Sequence, residues 1–230
     1  MPSVLVVGSS NTDMVISSDR IPVPGETILG GTFAIIPGGK GANQAVSAAR
    51  LGADVTFVAR IGTDIFGDEA LKQYATDHID LQYVVRDKSA PSGIAMIMVD
   101  RSGENAISVA SGANMKLTSS DVALAHSALV STDMVVLQLE IPYETVAFTA
   151  NLASEHQVPV ILNPAPACPL DDSLLRQVDY LTPNEVEAAS LTGIEVVDDA
   201  SANRAAHCLL DRGVGTVIIT MGDRGSYWAT

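Results

Sequence analysis

Cysteine is scarce in this chain of 230 residues, which contains only Cys168 and Cys208. The two thiols lie far apart and show no metal-ligand spacing, so the sequence indicates reduced cysteines rather than a disulfide framework or a zinc site. The four histidines also lack a spacing typical of metal ligands, and they are expected at the surface or on helix faces. They are His78, His126, His156 and His207.

Basic residues are also few, with 13 Lys and Arg against 27 Asp and Glu and a formal net charge of −14. This balance disfavours nucleic acids and anionic membranes as partners. No apolar run reaches membrane-spanning length, and the start of the chain is too short for a signal peptide and lacks its basic flank. We therefore expect a soluble, cytoplasmic protein with neither nucleic acid nor membrane as a partner.

Hydrophobic residues, by contrast, make up 47% of the chain, enough for a substantial core. Residues 4–7 form an apolar run without alternation, which predicts a parallel strand covered on both faces. Strand patterns at 55–58, 134–139, 158–162 and 217–220 then alternate with helical patterns. This rhythm predicts an α/β fold with a parallel central sheet flanked by helices.

Two segments interrupt the rhythm, at about 14–37 and 93–110. Each contains two short strand patterns without an intervening helix, and residues 100–103 predict a hairpin turn in the second segment. We expect the two segments to form a small β-sheet lid, inserted in a single α/β domain of residues 1–230. Such a lid could cover a site or pair with another subunit.

One glycine-rich stretch precedes a helical pattern: Pro37-Gly38-Gly39-Lys40-Gly41-Ala42-Asn43-Gln44. Its glycines let the backbone approach a ligand closely, and the amides at the start of a helix point toward whatever occupies the turn. Lys40 and Asn43 add a cation and an amide that can both donate and accept. A glycine turn with a surface lysine fits the same residues, and the spacing is not that of a Walker loop.

Polar residues follow the first strand in the order Gly8-Ser9-Ser10-Asn11-Thr12-Asp13. Ligands of open α/β sheets bind beyond the carboxyl ends of the strands, so Asn11 and Asp13 are candidates for binding the hydroxyls of a polyol. An Asx-turn at the end of the strand is the alternative. Glu140 follows the strand expected at 134–139 and should lie on the same edge of the sheet.

Two later segments also follow strands. Asn184 and Glu187 are neighbours on a first helical turn, where the Glu could hold Mg²⁺ through water. A capping box explains the same spacing and is the favoured interpretation. The turn at 220–225 contains two glycines whose N–H groups could bind phosphate, or it is a simple turn into another strand.

Taken together, these segments resemble the ribokinase group of the PfkB carbohydrate kinase family. The matching residues run in family order through the chain: 8–13, 24–27, 38–45, 60–64, 66–68, 112–114, 137–140, 163–167, 182–185 and 220–225. The form Gly-Gly-Lys-Gly-Ala-Asn-Gln at 38–44 is more typical of ribokinases than of fructokinases or adenosine kinases.

The resemblance implies a ribokinase-like, Rossmann-like fold and transfer of the γ-phosphoryl group of ATP to the primary O5 hydroxyl of a sugar, D-ribose. It also assigns the sugar site to nine residues: Asn11, Thr12, Asp13, Gly39, Lys40, Gly41, Ala42, Asn43 and Glu140.

For the nucleotide half, the resemblance implies ATP and Mg²⁺ as cofactors. It places Asn184 near the phosphates and Glu187 at Mg²⁺ through water. The nucleotide site is assigned to Thr220, Met221, Gly222, Asp223, Arg224 and Gly225. The lid would be the family's β-clasp, which often makes a dimer interface, so a homodimer is expected.

One family feature has no match in these residues, namely the glycine-rich run that ends in the catalytic Asp. That base is expected beyond Thr230, together with the loops that bind an activating K⁺, so no catalytic residue is assigned here. Loss of one core part of a phosphoryl-transfer site costs orders of magnitude in rate. We therefore expect an incomplete enzyme that binds sugar and transfers phosphate poorly.

Three alternatives stay open at this point. The first is a deoxyribokinase or another sugar or nucleoside kinase of the same family. The second is a non-catalytic protein that binds sugar or takes part in assembly. The third, a dinucleotide-binding oxidoreductase, is weak because Gly8-Ser9-Ser10-Asn11 does not fit the Gly-x-Gly-x-x-Gly fingerprint.

Overall fold

Twelve strands and eight α-helices make up the computed structural model, which describes residues 1–230. The strands are β1 (Ser3–Val7), β2 (Asn11–Ser17), β3 (Thr32–Gly38), β4 (Asp54–Gly62), β5 (Val84–Asp87), β6 (Gly93–Val99), β7 (Asn105–Ala110), β8 (Met134–Leu137), β9 (Val160–Leu162), β10 (Tyr180–Leu181), β11 (Thr216–Thr220) and β12 (Ser226–Ala229). The helices are α1 (Lys40–Arg50), α2 (Ile65–Thr76), α3 (Ser119–Leu124), α4 (His126–Val130), α5 (Tyr143–Glu155), α6 (Asp172–Leu175), α7 (Glu185–Thr192) and α8 (Asp199–Asp211), with 3-10 turns at Gly112–Lys116 and Gly222–Arg224.

Eight strands form one central sheet in the order β12-β11-β10-β9-β8-β1-β4-β5. Seven of them run parallel, and β12 pairs antiparallel with β11. The central sheet is therefore parallel except at this edge, where it becomes mixed. Only residues 221–225 connect β11 to β12, whereas a parallel neighbour needs a crossover of about a dozen residues or more. The α/β class, with helices flanking the sheet, is confirmed.

Strand β1 lies inside the sheet with both of its faces covered. Leu5, Val6 and Val7 are fully buried. Leu5 and Val7 belong to the larger core, whereas Val6 belongs to a smaller core on the opposite face, under α1 and α2. Ala42 and Ala45 of α1 are buried in this smaller core. Their small side chains let the start of α1 approach the sheet closely, which positions the glycine-rich stretch over the end of β1.

Four strands form a second sheet, here called the small sheet, in the order β3-β2-β6-β7. Strand β2 pairs antiparallel with β3 and parallel with β6, and β6 and β7 form the expected hairpin. Strand β2 begins at Asn11, which pairs with both Gly38 and Gly93. The sequence places the polar residues 11–13 in a loop after β1. In the structure they belong to the small sheet.

Several helix ends follow the capping chemistry of the sequence. Asp64 caps α2 by accepting a hydrogen bond from Gly67 N at 2.9 Å, and Gly193 ends α7 with a left-handed φ of 73°. Residues 119–130 form two short helices, α3 and α4, which meet at Ala125. None of the helices combines the length and the apolar character needed to cross a membrane.

Arg60 of β4 joins three elements near the carboxyl edge of the central sheet. Its Nη1 lies 2.7 Å from Asp87 Oδ2 of β5, and its Nη2 lies 3.0 Å from Asp121 Oδ1 of α3. Both carboxylates are buried. The Arg60 guanidinium holds the pKa of Asp87 well below its usual range. Burial raises the pKa of Asp121, but the N–H of Thr118 and the Arg60 guanidinium outweigh this effect and lower it.

We expect the variant Arg60→Met to be less stable at pH 7 and less sensitive to acid. Carboxylates with lowered folded-state pKa values stabilise the fold above their unfolded pKa of about 4, and this contribution is lost as the pH falls through the folded values. The wild-type urea midpoint should therefore decline on acidification below about pH 5. The midpoint of Arg60→Met should start lower and decline less. The control Arg50→Met removes an exposed partner of Asp77 and should change little. An unchanged acid profile for Arg60→Met would contradict the prediction.

Candidate active site

The carboxyl ends of β1 and β8 lie side by side in the central sheet, where the strand order reverses direction. Open α/β sheets bind ligands at this position. Ser9 follows β1 and Glu140 follows β8, and Ser9 Oγ donates a hydrogen bond to Glu140 Oε2 at 2.6 Å. The backbone N–H of Lys40, at the start of α1, donates to the same oxygen at 2.9 Å. The end of β1, the glycine-rich stretch and Glu140 therefore meet in one place.

Two glycines allow α1 to begin against residues 8–11. Gly39 has a φ of 90°, and a Cβ at this position would lie 2.7 Å from Asn11 N. A Cβ on Gly41 would lie 2.5 Å from Ser9 N. Because both distances are far below van der Waals contact, a side chain at either position would push the start of α1 away from β1 and from Glu140.

Asp13 brings a second carboxylate to the glycine-rich stretch. It lies on β2 opposite Ile36, and a Cβ on Gly38 would overlap its carboxylate atoms. Burial raises the pKa of Asp13 above its ordinary value, and the negative charge of Glu140 raises it further. This coupling reflects two carboxyl groups close to one another. Together they present several acceptor oxygens to a ligand rich in hydroxyl groups.

The orientation of the Asn11 amide is fixed by a buried neighbour. Asn114 Oδ1 accepts from Ser10 N at 2.9 Å, and Asn114 Nδ2 donates to Ser10 O at 3.2 Å and to Asn11 Oδ1 at 2.7 Å. Since a backbone N–H can only donate and a carbonyl can only accept, Asn114 has one possible orientation. Asn11 must then use its oxygen toward Asn114. Its Nδ2 is left to donate to a ligand.

Asn114 and Tyr74 support the site, although the sequence interpretation selected neither of them for it. The only signal for Asn114 is its place in the matched residues 112–114, and no motif points to Tyr74. Tyr74 OH lies 2.6 Å from Ser10 Oγ. Burial raises the pKa of Tyr74 to about 12, so the phenol stays neutral and holds the backbone next to Asn11.

Other sugar-site candidates lie around this centre. Thr12 points to the opposite face of β2 from its two neighbours and lines a cavity of about 340 Å³ beside α2. Ala42 is buried, and its N–H donates to Ser9 O at 2.8 Å. Asn43 is exposed on the first turn of α1 and lines a separate cavity of about 300 Å³. Thr12 and Asn43 thus line different cavities, and Ala42 contributes its backbone N–H.

The larger cavity does not mark the polar centre. Asn11 and Thr12 contribute to its lining, but Ile35, Pro37 and Phe66 make much of the remainder apolar. Neither of the two carboxylates contributes to it. Because sugar hydroxyls require hydrogen-bonding partners, we locate the candidate site at the carboxylates and not in this cavity.

Asn184 and Glu187 form the capping box that the sequence favoured. Asn184 Oδ1 accepts from Glu187 N at 2.8 Å, and Glu187 Oε2 accepts from Asn184 N at 2.9 Å. Glu187 is buried, and its Oε1 has no hydrogen-bond partner within the chain. An oxygen ligand of this kind fits a hard cation that keeps its waters, so the capping role and the Mg²⁺ role are compatible.

The turn after β11 lies next to this capping box. Thr220 N donates to Pro183 O at 2.9 Å, and Gly222 and Gly225 have left-handed φ values of 58° and 84°. Gly222, Asp223, Arg224 and Gly225 are exposed along with Thr220, whereas the side chain of Met221 is buried in the core.

Arg224 uses its guanidinium within the protein. It pairs with Glu185, and its Nη1 donates to Val197 O at 2.9 Å. The turn therefore offers exposed backbone groups and the Asp223 carboxylate to a ligand, while the cation of Arg224 is already engaged.

Two sets of candidate residues lie at the carboxyl edge of the central sheet: the carboxylate centre around Glu140, and the capping box of Asn184 and Glu187 with the turn at 220–225. One lies between β1 and β8 and the other between β10 and β11, three strand positions apart. At a strand spacing of about 4.8 Å, the separation along the edge is about 14 Å. Paired carboxylates and a glycine turn on one such edge are the arrangement of an α/β enzyme that acts on small molecules.

The chain belongs to the pfkB family of carbohydrate kinases, whose profile matches residues 1–230. Over its full length it is 45% identical to a bifunctional ribokinase/ribose-5-phosphate isomerase A of Fructilactobacillus sanfranciscensis, and it spans 43% of that protein. It is 41% identical to a ribokinase of Staphylococcus aureus, across 99% of this chain and 75% of that protein.

A solved structure gives the same result. The Arabidopsis thaliana ribokinase complexed with ribose and ATP superposes on this chain with a TM-score of 0.88 at 33% identity, across 99% of this chain and 74% of that one. The chain thus spans less than half of the bifunctional relative and about three quarters of the two ribokinases. The family assignment made from the sequence is confirmed.

We expect Glu140→Gln to lower the pKa of Asp13. The substitution keeps an acceptor oxygen for Ser9 and Lys40 but removes the negative charge that raises the Asp13 pKa, and only the burial contribution remains. Carboxyl ¹³C NMR titration of Asp13 measures the change. The control Glu144→Gln neutralises an exposed acid on the first turn of α5 and should leave the Asp13 pKa unchanged. If Asp13 has the same pKa in the wild type and in Glu140→Gln, the two carboxyl groups are not close together.

Proposed function

We propose that this chain is an ATP-dependent sugar kinase that acts on the primary O5 hydroxyl of D-ribose. The observation that carries the proposal is the meeting of two carboxylates, Asp13 and Glu140, at the start of α1, where Lys40 N donates a hydrogen bond to Glu140. The choice of ribose is supported by relatives named as ribokinases at 41% and 45% identity.

In this proposal the sugar is held by groups of opposite hydrogen-bonding character. Asp13 offers two acceptor oxygens to neighbouring hydroxyls, and Glu140 offers Oε1, because Oε2 is already used by Ser9 and Lys40. Asn11 donates through Nδ2. The Lys40 side chain supplies a cation that has no ion-pair partner in the chain. A sugar bound in this way is oriented by fixed groups, and positioning is the main requirement of phosphoryl transfer.

The nucleotide half of the proposal rests on the capping box of Asn184 and Glu187 and on the turn at 220–225. Asn184 would lie near the ATP phosphates, Glu187 would hold Mg²⁺ through water, and residues 220–225 would line the nucleotide. When bound, Mg²⁺ neutralises charge on the phosphates. The buried Glu187 carboxylate suits this role because one of its oxygens is not engaged. The K⁺ implied by the resemblance has no assigned ligand among these residues.

A second candidate function is sugar binding without efficient catalysis. It would use the same carboxylate centre and is distinguished from the kinase by the absence of turnover with ATP. No residue of this chain is proposed as the general base. A deoxyribose kinase would use the same carboxylate centre, so it is distinguished by substrate preference and not by a different site.

Calorimetry with ribose and turnover with ATP test the proposal together. We expect the wild type to bind ribose. Asp13→Asn should weaken the affinity for ribose by roughly a hundredfold, because hydrogen bonds from two hydroxyls to a charged group are lost. Asp54→Asn is the matched control, since Asp54 is an exposed acid at the start of β4. Urea midpoints close to that of the wild type would show that both variants are folded.

The outcomes separate the candidate functions. Formation of a sugar phosphate from ribose and Mg·ATP, followed by ³¹P NMR, supports the kinase. Ribose binding without turnover supports the second candidate. Tighter binding of deoxyribose moves the assignment to that sugar. Absence of binding for all three of ribose, deoxyribose and ATP would overturn the proposal.

We also propose that the small sheet acts as a lid and makes a homodimer. Phe33, Ile35 and Met96 share one face of the sheet, because Met14 pairs with both Ile35 and Met96 and Phe33 lies two residues from Ile35 along β3. All three are exposed. Asp13 lies on the opposite face. An exposed apolar face of this kind is typical of a protein interface.

Sedimentation equilibrium tests the interface. We expect the wild type to be a dimer and Phe33→Asp to be a monomer, since a charge in an apolar interface would be desolvated without a partner. The control Thr27→Asp places a charge in the exposed loop before β3 and should leave the dimer intact. A monomeric wild type, or a dimeric Phe33→Asp, rules out this face as the interface.

A further inference from the structure

Two histidines that are remote in sequence face each other on the surface. His126 is the first residue of α4 and His156 directly follows α5. Their Nε2 atoms are 3.2 Å apart, and the rings meet at 83° with centroids 5.0 Å apart. Both residues are exposed, as expected. Their 30-residue separation explains why no metal spacing was visible in the sequence.

Buried neighbours hold both backbones in place. His126 follows Ala125, which is fully buried and accepts a hydrogen bond from Leu129 N at 2.9 Å. His156 N donates to the carbonyl of the fully buried Ala153 at 3.1 Å. Only the side-chain torsions of the two histidines are therefore free to vary, so the pair is largely preorganised.

We propose that His126 and His156 form a bidentate site for a divalent transition-metal cation such as Zn²⁺ or Ni²⁺. Two imidazole nitrogens at about 2.0–2.1 Å from a tetrahedral Zn²⁺ lie about 3.3–3.4 Å from each other. The observed 3.2 Å thus needs almost no rearrangement. Each ring would carry its proton on Nδ1 and bind the metal through Nε2.

The two helix ends act on the pair in opposite senses. His156 lies at the carboxyl end of the 13-residue α5, where the last carbonyl groups carry a partial negative charge, whereas His126 begins the five-residue α4, whose first amides carry a smaller positive one. No third His, Cys, Asp or Glu completes a cluster here, so water would fill the other coordination positions. The site is therefore open, with an affinity set mainly by the two imidazoles.

This site is separate from the proposed Mg²⁺ position in both chemistry and place. Imidazole suits Zn²⁺, Ni²⁺ and Cu²⁺, whereas Mg²⁺ prefers oxygen ligands. Helix α5 has 13 residues and spans about 20 Å. It begins at Tyr143, just after Glu140, and ends at Glu155, just before His156, so the pair lies about one helix length from Glu140. A bound metal would link α4 to the end of α5.

Zinc titration of the full chain, by calorimetry and by long-range ¹H–¹⁵N spectra of the imidazole rings, tests the site. We expect saturable one-to-one binding with shifts of both Nε2 resonances. His126→Ala and His156→Ala should each weaken binding roughly a hundredfold, because the chelate becomes a single ligand. His207→Ala is the matched control: His207 is exposed on α8 and its Nδ1 lies 2.9 Å from Asn203 O.

Every outcome bears on the proposal. Both cysteines remain in all variants, so thiol binding would contribute equally to each of them. Urea midpoints near that of the wild type would show that the exposed substitutions leave the fold intact. If no saturable zinc binding occurs at millimolar metal, the two rings share only a hydrogen bond and the proposal is overturned. Loss of binding in one histidine variant but not in the other would equally overturn the bidentate site.

Discussion

The Glu140 carboxylate at the start of α1 is the interaction on which the geometry of the site depends. Its Oε2 accepts hydrogen bonds from Ser9 Oγ and from Lys40 N. Glu140 follows β8, Ser9 follows β1 and Lys40 begins α1. A single oxygen therefore fixes three chain segments relative to one another. A helix N-terminus stabilises a negative charge, so the same group supports the fold and remains available, through its second oxygen, to a ligand.

This anchoring also explains how a strongly acidic chain keeps two carboxyl groups close together. The charge of Glu140 raises the pKa of Asp13, which means that their proximity is unfavourable. The backbone N–H of Lys40 at the start of α1 donates to Glu140 and offsets part of that cost. A centre with excess acceptor oxygens suits the hydroxyl groups of a sugar and repels phosphate. In the proposed kinase, the phosphates of the nucleotide would lie near residues 220–225, with a metal ion to neutralise them.

Much of this arrangement was predictable because it follows from local rules. The apolar run at 4–7 indicated a strand covered on both faces, and the rule that ligands lie beyond strand ends placed Glu140 and Asp13 on one edge. The direction of β12 was not predictable from its composition, since a short connection decides it. The roles of Asn114 and Tyr74 were also missed. Their contacts join residues 64 to 104 positions apart, and no local pattern reports such distances.

The path of the chain couples the small sheet to the polar centre. Asn11 and Asp13 lie on β2, whose first residue pairs with Gly38 at the end of β3, immediately before α1. The Asn11 amide is also fixed from behind by Asn114, which holds Ser10 as well. The base of β2 is therefore tied to the main domain, while its far end extends into the small sheet. If the small sheet is the proposed lid, a rotation about this base would change the distance between Asp13 and Glu140. Closure over a sugar would then be coupled to the electrostatics of the two carboxyl groups.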